Sequence, residues 1–499
     1  MYVLHLASEC APVAKAGGLA DVLAALPAAL QEAGVRTAVV LPLYGGPGGE
    51  KAARAGELDR VWSGTVPGTA LRPTVWRART EPALYFVEEP VHFGRDEIYA
   101  DEIGDDLPAD RFAAFQLAVL AWLRDAPGAR PDVLHLHDHH AALVPALLRG
   151  AAANADLAGL PTVLTVHTAV HQGLVERRDL VALGLDEAFL QAVYTPADED
   201  DHLNTLRLGI EQADAVAVPS ATYARELVTD ADVARGLGRV FRAASDRLVG
   251  IPHGVDRSVW NPRSDAFLPA PYGPGDLAGK RLAKRDVCGE LGLDASQPLL
   301  AYIGRLMPEK GIEILFETVE RLARRTDASV VVLGEGPPEQ EARLRGLDAL
   351  LRASGLGGRL AVALRFDEAL AHRLYAAADA VLIPSQTEPG GLTAMHAMAY
   401  GAVPIAHAVG GLRDTVCPDG EPRRGVCFDT FSTTALTEAV EEALELWADE
   451  PAWAELQARG LALSFSWRRA AEAYADVYRR VAAGQPVLEP DAADTAVFY

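Results

Sequence analysis

No apolar run in the 499 residues approaches the ~20 that a helix needs to cross a bilayer, so a membrane span is not expected. The first residues, Met1-Tyr2-Val3-Leu4-His5-Leu6, lack the basic stretch that precedes a secretory apolar core. They read as a buried first strand. Cysteine is scarce: Cys10, Cys288, Cys417 and Cys427 are scattered without metal-ligand spacing, which predicts reduced thiols, no metal site and a cytoplasmic location. Basic residues are outnumbered, 46 Lys and Arg against 69 Asp and Glu, for a formal net charge of −23. Such a surface repels nucleic acid and anionic membrane, and neither is expected as a partner. An anionic small molecule would have to be held by a local cluster of cations against that field. A unit-charge pair about 4 Å apart is worth roughly 4 kcal/mol at an effective dielectric near 20, so a local cluster can win.

What is present is a strand–loop–helix pattern that runs through the chain twice. The length exceeds one ordinary core and predicts two domains of about 200–250 residues. In the first half, Tyr2–Ala7, Val35–Leu41, Val133–His137, Thr162–His167 and Val216–Pro219 read as strands, with a helix from Leu19 to about Ala33. The pattern restarts at Pro298 with strands Leu299–Ile303, Ser329–Leu333, Ala380–Pro384 and Ala402–Ala406. Helices Ile312–Arg324, Glu339–Ala353 and Thr393–Tyr400 lie between them. Strands alternating with helices imply parallel sheets covered on both faces. The expected fold class is therefore α/β, with two Rossmann-like domains facing across a cleft and ligands bound beyond the carboxyl ends of the strands. The expected division is 1–255 for the first domain, 256–279 for a Pro-, Gly- and Asp-rich linker, 280–482 for the second domain and 483–499 for a loosely ordered tail. The helical stretch Trp467–Val481 follows the second sheet and is a candidate to cross back to the first domain.

Three stretches carry chemistry. Lys15-Ala16-Gly17-Gly18-Leu19-Ala20-Asp21-Val22 opens a helix directly after the first strand. Its glycines allow close backbone approach to an anion, the helix start offers N–H groups, and Lys15 adds a charge. Taken alone, the octet fits an ordinary strand-to-helix turn somewhat better. Gly304-Arg305-Leu306-Met307-Pro308-Glu309-Lys310-Gly311 occupies the corresponding place in the second half. An Arg fork and a Lys point charge at a strand end suit a diphosphate, whose charge grows as it leaves. Pro384-Ser385-Gln386-Thr387-Glu388-Pro389-Gly390-Gly391-Leu392-Thr393 joins a carboxylate to a helix start, where N–H groups from Gly391 to Thr393 could take phosphate oxygens. His137-Asp138-His139-His140 ends a strand; adjacent side chains do not converge readily on one ion, so these are read as sugar-facing rather than metal-binding. His167 ends another strand and divides evenly between a structural and a functional reading. The acidic run Asp198–Asp201 reads as a solvated loop.

Taken in register these stretches resemble the glycogen and bacterial starch synthase family, from the N-terminus to about Arg480. The likeness rests on Lys15 to Val22, His135-Leu136-His137-Asp138, Thr165-Val166-His167, Gln172-Gly173, Trp260-Asn261-Pro262, Gly304-Arg305-Leu306, Lys310-Gly311, Glu388-Pro389, Gly391-Leu392, Tyr400-Gly401 and Phe465-Ser466-Trp467. The resemblance implies a GT-B, retaining glucosyltransferase that adds glucose from ADP-glucose or UDP-glucose to an α-glucan. It implies that Arg305 and Lys310 bind the donor diphosphate, with Lys15, Gly17, Gly18 and Asp21 reaching it from the opposite domain. His167 and Asp138 would meet sugar hydroxyls, Glu388 would sit by the donor sugar, and Phe366 would stack on the nucleobase. Gly391, Leu392 and Thr393 would serve phosphate oxygens. Asn204 and Arg207 fall where the family places an Asn and a Lys near the sugar. Thr168, Gln386, Gly390 and His253 depart from the usual Asn, Arg, Cys and Asn.

Retaining hydrolases use two carboxylates about 5 Å apart, and only Glu388 is nominated here. Front-face departure of the diphosphate is the expected route, with no cofactor and no metal requirement. Three other readings stay open on the sequence: a related transferase with a small acceptor such as glucose 1-phosphate, a sugar-nucleotide epimerase, and an inactive glucan- or nucleotide-binding homologue. Donor base, acceptor length and oligomeric state are not fixed by the residues.

Overall fold

The structure, a computed structural model, describes residues 1–99, 110–194 and 201–488. The acids Asp198–Asp200 and the tail from 489 onward lie outside the described residues. The chain divides into two compact units, Met1–His253 with Trp467–Tyr499, and Gly254–Ser466.

The first unit is built on strands β1 (Tyr2–Leu6), β2 (Arg36–Pro42), β3 (Leu58–Ser63), β4 (Thr74–Ala78), β5 (Ala83–Glu88), β6 (Val133–His137) and β7 (Thr162–Thr165). A short antiparallel ribbon, β8 (Leu174–Glu176) with β9 (His202–Asn204), precedes β10 (Ala215–Val218) and β11 (Leu248–Gly250). The main sheet runs β11-β10-β7-β6-β1-β2-β5-β4-β3. Strands β6, β7 and β10 are buried along their whole length, as expected of parallel strands covered on both faces. The sheet is not parallel throughout, which corrects the sequence expectation. β4 pairs antiparallel with both β3 and β5. Strand β3 reads Leu-Asp-Arg-Val-Trp-Ser and is largely exposed, so it lacks the apolar run that makes a central strand legible.

The strand order reverses at β1, which has β2 on one side and β6 on the other. This switch point gathers the loop after β1 and the turn after β6 at one sheet edge. Helix Trp467–Ala482 packs on helix Gly18–Glu32 and belongs to this unit. Its Tyr474 hydroxyl lies 3.0 Å from Thr165 Oγ1, and its Tyr478 hydroxyl lies 2.7 Å from His135 Nδ1.

The second unit carries one six-stranded parallel sheet: β12 (Leu299–Ile303), β13 (Ser329–Leu333), β14 (Leu360–Ala363), β15 (Ala380–Ile383), β16 (Val403–His407) and β17 (Val426–Phe428). Their order is β14-β13-β12-β15-β16-β17. Its switch point lies between β12 and β15, so the loops 304–311 and 384–391 leave adjacent strands in the same direction.

Two expectations need correction here. The expected linker 256–279 is irregular up to residue 277, after which a helix begins, but it is not a tether. Trp260 and Tyr272 are buried in the second unit's core. The Trp260 ring stacks between His372, 3.9 Å away, and His396, 4.1 Å away. The buried Asp265 carboxylate accepts from His372 Nδ1 at 2.7 Å. Prolines and glycines mark a loop; they do not reveal that its aromatics are anchored. The reduced-thiol reading holds only for Cys10 and Cys288, which are free and buried. Cys417 and Cys427 form a disulfide, with Cα atoms 6.4 Å apart. The chain turns back between helix Gly410–Thr415 and β17, and that reversal brings together two cysteines whose spacing alone is uninformative.

Candidate functional site

In the second unit the two loops of the switch point touch. Gly311 takes φ +74°, and a Cβ placed there would lie 1.9 Å from the Pro384 carbonyl oxygen, so only glycine fits. This crossing sets Lys310 beside Glu388, with Nζ 2.7 Å from Oε2. The Ser385 hydroxyl donates to the same oxygen at 3.0 Å. Ser385 is itself fixed through its carbonyl, which accepts from His407 Nδ1 at 2.8 Å. The Glu388 carbonyl accepts from Gly411 N at 2.9 Å, which locks the loop from below. The Glu388 side chain is 12% exposed and that of Lys310 29%, so the pair is mostly shielded from solvent. Arg305 is more than half exposed and stands 3.7 Å from Glu309 Oε1.

Gly391, at φ +70°, caps helix Leu392–Ala399. The N–H groups of Leu392 and Thr393 head that helix, where its dipole favours negative charge. Phe366 presents 59% of its surface to solvent. Its neighbour Asp367 caps helix Glu368–Ala377 through Leu370 N at 2.9 Å. Glu388, Lys310 and the helix start are thus brought together on two adjacent strand ends, with Arg305 in the same loop as Lys310.

In the first unit Lys15 meets Asp21, Nζ to Oδ1 at 2.8 Å, across the loop that begins helix Gly18–Glu32. The loop's N–H groups are not all available to an incoming anion, which corrects the reading of Gly17 as an anion cradle. Glu9 Oε2 accepts from Ala16 N at 2.5 Å and from Gly17 N at 2.7 Å. Tyr99 donates to Glu9 Oε1 at 2.5 Å. Burial pushes the Glu9 carboxyl above the usual carboxylate range, and these three donors offset that only in part.

Asp138 follows β6 with φ +53°, a left-handed conformation rare outside glycine. That turn aims its buried carboxylate at the backbone of the neighbouring strand end, where Oδ1 accepts from His167 N at 2.7 Å. Burial raises its carboxyl to about 7. His167 Nε2 lies 3.0 Å from His137 Nδ1, so Asp138 holds the His167 backbone and His137 holds its ring.

Asn204 and Arg207 are placed by local structure. Asn204 caps helix Thr205–Gln212 through Arg207 N at 2.9 Å and donates to Gln172 Oε1 at 2.5 Å. The Arg207 guanidinium is buried and donates to Glu211 at 2.8 Å and to the Val193 carbonyl at 3.3 Å. Glu211, four residues on in the same helix, pairs with its charge.

Sequence reading singles out neither Glu9 nor His5 as site groups. The available signal was two histidines, His135 and His137, at period two on a fully buried strand. They face the same way as His5, whose Cα pairs with that of His135. Ring nitrogens of His5, His135 and His137 all lie within 4.8 Å of one another, a spacing that could suit a metal ion. They are engaged otherwise: His135 with Thr165 and Tyr478, His137 with His5 and His167. As they stand, the three rings are linked into a hydrogen-bond network with Thr165, Tyr478 and His167.

Residues 2–243 match the family model described as starch synthase catalytic domain, and residues 285–459 match that of glycosyl transferases group 1. A glycogen synthase of Anaeromyxobacter sp. is 41% identical over 491 residues, covering 97% of this chain and 100% of that protein. One from Syntrophotalea carbinolica is 36% identical, covering 96% and 99%. Among solved structures, the catalytic domain of starch synthase IV from Arabidopsis thaliana, bound to ADP and acarbose, is 31% identical with a TM-score of 0.85, covering 97% of this chain and 99% of that one. Sucrose-phosphate synthase from Thermosynechococcus elongatus shares the fold at 19% identity, with a TM-score of 0.61 and coverage of 97% and 100%.

Proposed function

The chain belongs to the glycogen and starch synthase family, and from that premise we propose that its donor is ADP-glucose and that its second unit draws the diphosphate off the sugar without a divalent ion. As a family member it is a GT-B retaining hexosyltransferase, a glycogen synthase that takes glucose from a nucleotide sugar to the end of an α-1,4-glucan. ADP is supported over UDP by the 31% identical plant starch synthase, which was solved with ADP. The observation that carries the mechanism is the Lys310–Glu388 pair at the β12–β15 switch point, beside Arg305 and the helix start at Gly391–Thr393.

In the proposed step the bond from the sugar's anomeric carbon to the diphosphate oxygen breaks, and its electron pair leaves with the diphosphate. Arg305, Lys310 and the Leu392 and Thr393 N–H groups stabilise that growing charge, as preorganised donors do. An acceptor hydroxyl bonds to the same carbon on the same face, and its proton passes to a departing phosphate oxygen. Glu388 receives Lys310 and Ser385 on Oε2, which leaves Oε1 to face the positive charge developing on the ring. Phe366, exposed beside the β14 end, supplies a face for the base.

The test offers ADP-glucose and UDP-glucose in turn with glycogen and measures released nucleotide and chain extension. Extension at least tenfold faster with ADP-glucose, unchanged by EDTA, is expected. Preference for UDP-glucose removes the donor assignment, and loss of transfer in EDTA removes the metal-free one. Lys310→Ala is expected to cut turnover at least tenfold with the fold intact by circular dichroism, since it removes one of two full charges on the leaving group. Turnover close to that of the unsubstituted enzyme would take Lys310 out of the diphosphate site.

A further inference from the structure

Ser8 and Glu9, just after β1, are held by two tyrosines from other parts of the chain. Tyr44 donates its hydroxyl to the Ser8 carbonyl at 2.8 Å, and the Tyr99 hydroxyl lies 2.9 Å from Ser8 Oγ. Tyr99 also reaches Glu9, whose other oxygen holds Ala16 N and Gly17 N in the loop that carries Lys15. One residue, Arg111, lies against both tyrosine-bearing segments. Its Nη1 donates to the Ile98 carbonyl and its Nη2 to the Glu97 carbonyl, each at 3.2 Å, so the fork grips the two peptide groups that lead into Tyr99. Its guanidinium carbon stands 5.6 Å from the centre of the Tyr44 ring, 4.9 Å from that of Phe93 and 5.4 Å from that of Phe112.

Nothing about this position favours a cation for its own sake. Arg111 is 4% exposed, and burying a charge is costly unless it is fully paired. It opens helix Arg111–Asp125, where the helix dipole disfavours positive charge. Among the described residues its partners are two carbonyls and three aromatic faces, with no carboxylate, and its buried Nε has none. The aromatic faces attract the cation, and a planar fork can take two successive carbonyls at once. An unbranched apolar side chain would fill the same space among the rings without those costs. What the arginine adds is its grip on residues 97 and 98.

We propose that Arg111 is a positioning residue for the transfer reaction: by fixing the backbone that leads into Tyr99, it sets the Tyr99 hydroxyl on Glu9 and, through Glu9, the N–H groups of the Lys15 loop. Tyr44 supports the same segment, since its hydroxyl holds the Ser8 carbonyl while its ring lies against the guanidinium. The inference rests on the transferase reading above for what the Lys15 loop serves. The placement of Tyr99 by Arg111 does not depend on that reading.

Two readouts on the full chain test it. The first is ¹⁹F NMR of protein labelled with 3-fluorotyrosine, the Tyr99 line assigned by its absence in Tyr99→Phe. In Arg111→Met that line is expected to move toward the position of free fluorotyrosine, while the lines of tyrosines remote from Arg111 stay. An unmoved Tyr99 line overturns the positioning role whatever the activity of the enzyme. The second readout is a double-mutant cycle on glucan extension. Tyr99→Phe and Arg111→Met are each expected to lower kcat about tenfold, with KM for the donor within about threefold, as a small misplacement at a reacting site does. Combined, they are expected to lower kcat at most about twofold beyond either alone, because both act through one hydroxyl. Losses that multiply to about a hundredfold show that Arg111 acts by another route and overturn the inference. Full turnover in Tyr99→Phe overturns it too, by taking that hydroxyl out of the reaction, and leaves the transferase assignment standing. Should Arg111→Met fail to fold, Arg111→Lys, which keeps the charge but loses the fork, carries both readouts. Absence of any transfer by the unsubstituted protein is a failure of the transferase reading, and the Tyr99 line still decides the placement.

Discussion

Glu388→Ala is expected to lower glucan extension by about a hundredfold or more, the scale seen when one preorganised charge-stabilising group is removed. The carboxylate is mostly buried, bonded by Lys310 and Ser385, and set at a strand end by the Gly311–Pro384 crossing. Its removal strips the negative charge that faces a ring becoming positive. It also frees Lys310 to turn away from the sugar. Glu388→Gln separates the two effects, because the amide keeps the side chain's size and an oxygen for Ser385 but carries no charge. Glu388→Gln is expected to lose nearly as much kcat as Glu388→Ala, while KM for the donor changes little. The cost to stability stays near 1 kcal/mol, since Lys310 is close to a third exposed and can find water. Steady-state rates with thermal melting read both. A Glu388→Gln enzyme within tenfold of normal turnover would place the carboxylate outside the chemistry.

The second large effect is on stability toward acid. Seven histidines of the first unit are held below the ordinary value by burial. His5 is pushed down to about 3, His139 and His253 to about 4, and His135, His137, His140 and His167 well below 6.5. For all but His5 and His253, neighbouring rings or an arginine push the same way. Below pH ~6.5 the unfolded chain takes up protons that the folded unit refuses, so stability is whole above that pH and falls as pH drops toward 4. Each such group costs about 1.4 kcal/mol per pH unit. Asp138, raised to about 7, and Glu9, also raised, act in the opposite sense and offset part of this loss. Several such groups titrating together weigh heavily against a domain's marginal stability. Loss of near-ultraviolet circular dichroism with a midpoint between about pH 5 and 6 is expected. A first unit still folded at pH 4.5 would show that the histidines find protons or partners in the folded state after all.

Much of this was legible in the residues. The apolar strands Val133–His137 and Leu299–Ile303 announce themselves, and strand-end loops that hold Arg305, Lys310 and Glu388 follow once the sheet is read as parallel. What escaped was whatever depends on register. The pairing of Glu9 with Ala16 and Gly17 needs the loop to fold back by seven or eight residues, and no periodicity records that. The histidine network needs β1, β6 and β7 side by side in a known alignment, with sequence separations of 132 and 30 between bonded partners. Arg207 carried a similar lesson. A helix places residues four apart on one face, so Glu211 pairs with it there, a contact that its position alone did not announce.

The contact of Gly311 with Pro384 leaves no room for even one added carbon. The cation of one loop and the carboxylate of the next are therefore a single rigid fitting, assembled once when the sheet forms. Drift in sequence can reach the outward residues around it, such as exposed Gln386, without separating the two charges.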